Sequence, residues 1–382
     1  MALKSSRRGG IPPFIVMDVM REANAREARG ESIVHLEVGQ PSTPAPQGVI
    51  EAARRALKDN RLGYTEAFGL PELRARVARH YLETHGQAVD RGRIVVCTGS
   101  SSGFVLAFLA AFDPGDRVAL AVPGYPAYRN ILAALGIEPV MLEVGIESNF
   151  QPTPEALDTV SGRLDGLIIA SPANPTGTMI GRADLERLAA YCRDRGVRLI
   201  SDEIYHGIAY GEAAETALAF DAEAIVVNSF SKYFSMTGWR LGWMVVPESL
   251  LRAVECLTQN LYISPPTLSQ LAGLAVFDCK GELDANVARY AANRRLLLAE
   301  LPRAGFDRLA PAEGAFYLYA DVGALTNDSA EFCRRMLAET GVAATPGLDF
   351  DPKRGNRFVR FSFAGSTADM AEAARRLIAW RR

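Results

Sequence analysis

The sequence predicts an α/β fold, a mainly parallel sheet with helices on both faces, followed by a smaller α+β unit. Two observations carry the first part. From about Arg93 onward, short apolar runs alternate with helix-length segments. Those runs are continuously apolar, as in strands covered on both faces. The third observation is that this alternation changes character near residue 285.

In order, RIVVC (93–97) reads as a strand, SGFVLAFLAAF as a helix and DPGD as a turn. RVALAV (117–122) is a strand and PAYRNILAALG a helix. DGLIIAS (165–171) is a strand and ADLERLAAYCRDRG a helix. VRLIS, AIVVNS and LGWMVV complete the set of strands. Beyond the boundary, NVARYAANRRLLLAEL is a long helix, and AFYLYADV and RFVRFSFA are strands. Helices are expected around SAEFCRRMLAE and ADMAEAARRLIAW. Three parts result: an irregular, Pro-rich segment 1–44 packing across the domains, a large domain 45–285, and a small domain 286–382.

Composition narrows the class. The chain has 382 residues, 48% of them hydrophobic, enough for two domains and a large core. Its formal net charge of -2, with no long basic run, gives no electrostatic reason to expect nucleic acid or anionic membrane as a partner. No apolar run reaches bilayer length, and Pro12 and Pro13 break the first apolar stretch, which argues against a secretory signal. Five scattered cysteines without CxxC spacing read as reduced thiols of a cytoplasmic protein.

Open α/β sheets bind ligands beyond the carboxyl ends of their strands. Those ends carry TGSSSG (98–103), PGYPAY (123–128), SPANPTG (171–177), SDEIYHG (201–207) and NSFSK (228–232). GSSSG fits the G-x-S-x-G elbow of a serine hydrolase. Only His206 follows it, in mid-chain and four residues from Asp202, where a hydrolase histidine is not expected. Serines at a glycine-entered helix start fit an anion better, since free N–H groups and the helix dipole face one point. Ser229, Ser231 and Arg240 add to it, and Arg offers a fork for phosphate oxygens. Neither G-x-x-x-x-G-K-[ST] nor G-x-G-x-x-G is present, so the phosphate belongs to something smaller than a nucleoside triphosphate or dinucleotide.

Lys232 stands at the end of an apolar strand, where an unpaired lysine is rare. A partly desolvated lysine beside a cation is a nucleophilic amine, able to form a Schiff base with a carbonyl such as that of pyridoxal phosphate (PLP). PLP also requires a carboxylate for its pyridine nitrogen, and Asp202 is the candidate.

SFSKYFSMTGWRLG resembles the PLP-attachment motif of class I aminotransferases. SPANPTG, SDEIY, DPGD, YTEAFGLPELR and FVRFSFA resemble further blocks of that family, in the family's order, over nearly the whole chain. The resemblance implies fold type I, with PLP bound in the large domain. It implies that Lys232 carries the cofactor and moves the proton between Cα and the cofactor, and that Asp202 keeps the pyridine nitrogen protonated. Tyr205 and Asn174 would hydrogen-bond the ring oxygen, and Ser100, Ser101, Ser229 and Arg240 would hold the phosphate. Tyr125 would stack on the ring. Tyr64 would reach the phosphate of a neighbouring subunit, making the protein a homodimer. Arg360, with Arg357 as competitor, would clamp the substrate carboxylate, and Gly39 would contact the same group. His206 reads as structural, and His35, His80 and His85 show no metal-ligand spacing.

The implied reaction is ping-pong transfer of an amino group from an L-amino acid to a 2-oxo acid. A PLP-dependent carbon–sulfur β-lyase is the alternative on the same scaffold. A PLP-sensing transcription regulator is disfavoured, because the blocks use the whole chain. For the donor, Ser101 stands where a lysine would help hold a second carboxylate in aspartate aminotransferases of this type. The segments around Phe14 and Tyr262 are apolar. A neutral or aromatic donor is therefore expected over aspartate, unless Arg7, Arg8, Arg21 or Arg129 supplies the missing cation.

Overall fold

The computed structural model describes residues 3–380. Seven strands form the central sheet in the order Ile94–Cys97, Gly242–Val245, Ile225–Ser229, Arg198–Asp202, Gly166–Ala170, Arg117–Val122, Glu138–Glu143. Gly242–Val245 runs antiparallel to both neighbours, and the other pairings are parallel. The continuous apolar runs are buried throughout, as IVVC, IVVNS and GWMV show. Alternate residues enter opposite layers. Leu167, Ile169, Val226 and Val245 join one core, while Ile168, Ile200, Val227 and Met244 join the other.

One strand of this sheet escaped the sequence reading. Glu138–Glu143 (EPVMLE) has a single neighbour, so its outer side tolerates charge and its pattern is not continuously apolar.

The second unit is a three-stranded antiparallel sheet of Thr345–Pro346, Phe358–Ser362 and Tyr317–Asp321, with its own core around Phe306, Phe316, Leu318, Phe361 and Met370. The helix Lys280–Glu300 passes through residue 285 without a break. Its Leu283 belongs to the core of the large unit, and Tyr290 and Leu297 to that of the small one.

The N-terminal segment departs from expectation. Ile15–Glu27 is a helix, not irregular chain. Its N-cap residue, Phe14, has no side chain that can accept the free N–H groups. The Asp349 carboxylate accepts them instead, from Ile15 and Val16 at 3.0 and 3.2 Å. A cap supplied from so far along the chain leaves no local signal. The segment touches both units: Val34–His35 pairs with Val342–Ala343, and the Phe14 ring stacks on Tyr125 with centroids 5.8 Å apart.

Candidate active site

The parallel strands end on one rim, and the charged groups stand there. Asp202 is the last residue of its strand and only 3% exposed. Its carboxylate accepts the Tyr128 hydroxyl and, at 3.1 Å, the Ile204 N–H. Burial pushes its pKa up to about 6, against the pull of those two bonds and of Lys232. Lys232 lies just past the neighbouring strand Ile225–Ser229, and its Nζ donates to the Gly39 carbonyl at 2.6 Å. Burial first, and the Arg360 and Arg240 charges after it, lower the amine to about 8, while Asp202 acts in the opposite direction. The Tyr205 ring centroid is 5.6 Å from the same nitrogen.

The anion pole lies at the start of the helix Ser100–Ala111. Gly99 enters it at φ 80° without a side-chain cap, which leaves first-turn N–H groups for a guest. Arg240, itself left-handed at φ 51°, folds its guanidinium over this turn. The positive φ of Gly99 favours glycine there, and a Cβ would stand 2.5 Å from an Arg240 nitrogen and displace the guanidinium. Gly242 is equally constrained, since its Cβ would meet the Ser100 nitrogen at 2.8 Å. Ser229 accepts the Ser231 N–H at 3.0 Å, and Ser101 is exposed at the helix start.

The small unit closes the site with one arginine set among rings. Arg360 donates to Asn174 Oδ1 at 2.8 Å, to the Glu37 carbonyl and to Thr345 Oγ1 at 3.3 Å. Its guanidinium lies 4.4 Å from the Tyr317 centroid and 4.7 Å from that of Phe350. Its Nε is buried with no partner. The Tyr317 hydroxyl meets that of Tyr205 at 2.6 Å. A Cβ on Gly39 would lie 1.8 Å from that Tyr317 hydroxyl, so the glycine makes room for the tyrosine.

Lys232, Asp202, Tyr205, Asn174, Arg360 and Gly39 are thus joined by these contacts, with Tyr125 beside Tyr128 at a 5.4 Å ring separation. Ser100, Ser101, Ser229 and Arg240 form the adjoining pole. Tyr64 stands apart, 81% exposed. The rival Arg357 is engaged elsewhere, with its guanidinium on Asp321 at 2.8 Å. His206 faces His85 at 3.4 Å and Glu203 at 3.6 Å, with no contact to Ser101, and so offers it no base.

Two site residues were missed from sequence. Tyr128 lies one helical turn after Tyr125, a spacing that places both on one face. Tyr317 sits in a strand of alternating aromatics, and its place became visible only with the strand register.

Fold and site together define a fold type I transferase, with a partly buried lysine on the sheet rim and an arginine brought from a second unit. The sequence model for aminotransferase class I and II matches residues 31–377. A valine–pyruvate aminotransferase of Mycobacterium tuberculosis is 53% identical over 98% of this chain and 97% of its own. A crystal structure of an aminotransferase from Mycobacterium tuberculosis superposes with a TM-score of 0.97 at 52% identity, covering 99% of both chains. The aspartate aminotransferase from Thermus thermophilus with maleate gives 0.94 at 30% identity, over 99% of this chain and all (100%) of its own. The chain belongs to the class I and II aminotransferase family and is a transaminase.

Proposed function

We propose that this transaminase works with PLP held by the residues above, and moves the amino group of a neutral, apolar L-amino acid to a small 2-oxo acid. The observation that carries the cofactor reading is the meeting of Lys232, Asp202 and the Gly99–Arg240 pole on one rim. The residues fit the group: a buried carboxylate for a ring nitrogen, a lysine with a lowered pKa for an aldehyde, and an anion pole for a phosphate. When bound, PLP would supply the electron sink for cleavage of the Cα–H bond. Lys232 would hold it covalently, Asp202 would face the pyridine nitrogen, and Tyr205 and Asn174 would reach the ring oxygen. Tyr125 would cover the ring face, and Ser100, Ser101, Ser229 and Arg240 would bind the phosphate.

The remaining chemistry belongs to the chain. Once free, an amine with a pKa near 8 has a substantial neutral fraction at physiological pH, and it serves as the base that takes the Cα proton and returns it. Arg360 and Gly39 would position the substrate carboxylate. The rings of Tyr317 and Phe350 shield the arginine from water and hold its plane.

A neutral donor is supported by two observations. The Mycobacterium tuberculosis relative is a valine–pyruvate aminotransferase. In addition, the arginines that might read a second carboxylate are engaged or remote. Arg21 pairs with Asp18 at 2.6 Å, and Arg7 and Arg8 are exposed. Arg129 donates through one terminal nitrogen to the Asp349 carbonyl at 2.7 Å while its other one is buried without a partner, and the Asp349 and Asp351 carboxylates beside it oppose a further anion. Steady-state kinetics with valine, alanine, methionine, phenylalanine and aspartate at fixed pyruvate test this. We expect aspartate to trail the best neutral donor by about tenfold or more in kcat/KM. Aspartate as the best donor would overturn the reading and point to Arg129.

We also read the enzyme as a cytoplasmic homodimer whose partners are small molecules. Hydrogen bonds tie the loop around Tyr64 to the one after Ile263, through Thr267 to Gly63 and Thr65 to Ser264. Tyr64 and Ile263, both exposed, thus stand on linked loops, where a second copy would cover them. The five free cysteines fit a reducing compartment.

A further inference from the structure

A cavity of about 450 Å³ lies in the cleft between the two units, and no residue assigned above to PLP or to the substrate lines it. The large unit contributes Val144, Ile146 and Phe150, and the small unit contributes Leu309, Tyr319 and Phe358. Apolar walls with a few converging polar groups, at a junction between domains, are the usual makings of a small-molecule site.

Among the lining residues cations outnumber anions, with the Glu147 carboxylate lying beside Gly145 at the wall. Arg308, Arg354 and Arg357 line it, with Asp321 as the one carboxylate among them. Asp321 is shared: Arg357 approaches it at 2.8 Å and Arg308 at 3.2 Å. Arg354 has its own partner in Asp351 at 2.8 Å and gives a further bond to the Val122 carbonyl. Two guanidinium groups therefore divide one carboxylate, and Arg308 remains 64% exposed with only that contact. A second carboxylate entering the cavity would complete the pairing, with its apolar body against Phe150, Leu309 and Phe358.

We propose that this cleft is a second ligand site, distinct from the catalytic one, and that it takes a small monocarboxylate with an apolar or aromatic body. Its walls lead toward the substrate arginine. Tyr319 pairs in register with Arg360, and its ring stacks on Phe358 at 4.8 Å with planes 4° apart. Tyr319 also meets Phe350 edge-on at 6.3 Å, and Phe350 carries the Arg360 guanidinium. The inference stands independently of the cofactor and donor assigned above, because it uses none of those residues as ligands.

Calorimetric titration of the holoenzyme with hydrocinnamate tests it, using hydrocinnamyl alcohol as the uncharged match. We expect saturable binding of the acid, about tenfold tighter than the alcohol, since hydrogen bonds to a charged group carry the difference. Arg308→Gln, which alters an exposed side chain, should weaken the acid toward the alcohol. Leu309→Trp should block both by filling the cavity, and Arg360→Gln should leave this binding event in place. Thermal unfolding of each variant checks that it is folded. Absence of saturable binding would overturn the proposal. So would binding that vanishes in Arg360→Gln and survives Arg308→Gln and Leu309→Trp, because the acid would then sit at the substrate arginine.

Discussion

The two sides of the active site are built on different principles. On the large unit, the working groups stand at strand ends and titrate near neutrality: Asp202 at about 6 and Lys232 at about 8. On the small unit, the group is a guanidinium, fixed by two rings, one side-chain amide, one hydroxyl and one main-chain carbonyl. The sides meet where Lys232 donates to Gly39 and Arg360 to Asn174. On the proposed function, the comparison implies a division of labour: proton movement would belong to the rim, and carboxylate recognition to the wall. Substitutions at four residues can break or sharpen it.

The largest effect should follow from removing the amine. Lys232→Ala should lower kcat by about a thousandfold or more, because it removes both the covalent anchor and the base. Borohydride reduction of the wild-type holoenzyme should fix the cofactor on the peptide containing Lys232. A label on another lysine would end this assignment.

Arg360→Gln is the matching test of the wall. Losing a charge-assisted pair to the substrate carboxylate costs about 1.5–3 kcal/mol, or about 10- to 100-fold in kcat/KM. The loss should fall mainly on KM. Because the Arg360 charge helps lower the Lys232 amine, the limb set by Lys232 should move to higher pH, while the limb set by Asp202 stays in place. A displaced Asp202 limb in this variant would break the division.

How much of this was legible follows the same line. The rim was legible because a parallel sheet delivers its strand-end residues to one place, so SDEIY and NSFSK could be joined without coordinates. Asp202 and Lys232 lie three residues or fewer from strand ends that are continuous apolar runs. The wall was legible only in Arg360, through resemblance. Tyr317 and Phe350 act through register and through a turn closed by tertiary contacts, and neither leaves a period in the sequence. The Asp349 cap on the first helix failed to show for the same reason.

The acid limb probes Asp202 directly. Its folded pKa is raised, mainly by burial, so its carboxyl becomes neutral as pH falls through about 6. A neutral carboxyl cannot hold a protonated pyridine nitrogen by charge. Affinity of the apoprotein for PLP, followed by absorbance titration, should therefore weaken by up to about tenfold per pH unit below that point and level off above it. Asp202→Asn should bind more weakly at pH 7.5 and lose this dependence. A slope that persists in Asp202→Asn would assign the limb to another group.

The smallest effect should come from Tyr317, the residue that belongs to both sides. Its hydroxyl meets Tyr205 on the rim, and its ring carries Arg360 on the wall. The two functions can be separated. Tyr317→Phe removes one neutral hydrogen bond, worth about 1 kcal/mol, and keeps the ring. It should lower kcat by about fivefold with KM for the donor nearly unchanged. Tyr317→Leu removes the ring as well, exposes one face of the Arg360 guanidinium and should raise KM in addition. If phenylalanine and leucine shift KM alike, the hydroxyl rather than the ring positions Arg360. Rim and wall would then be one coupled network, not two regions that meet.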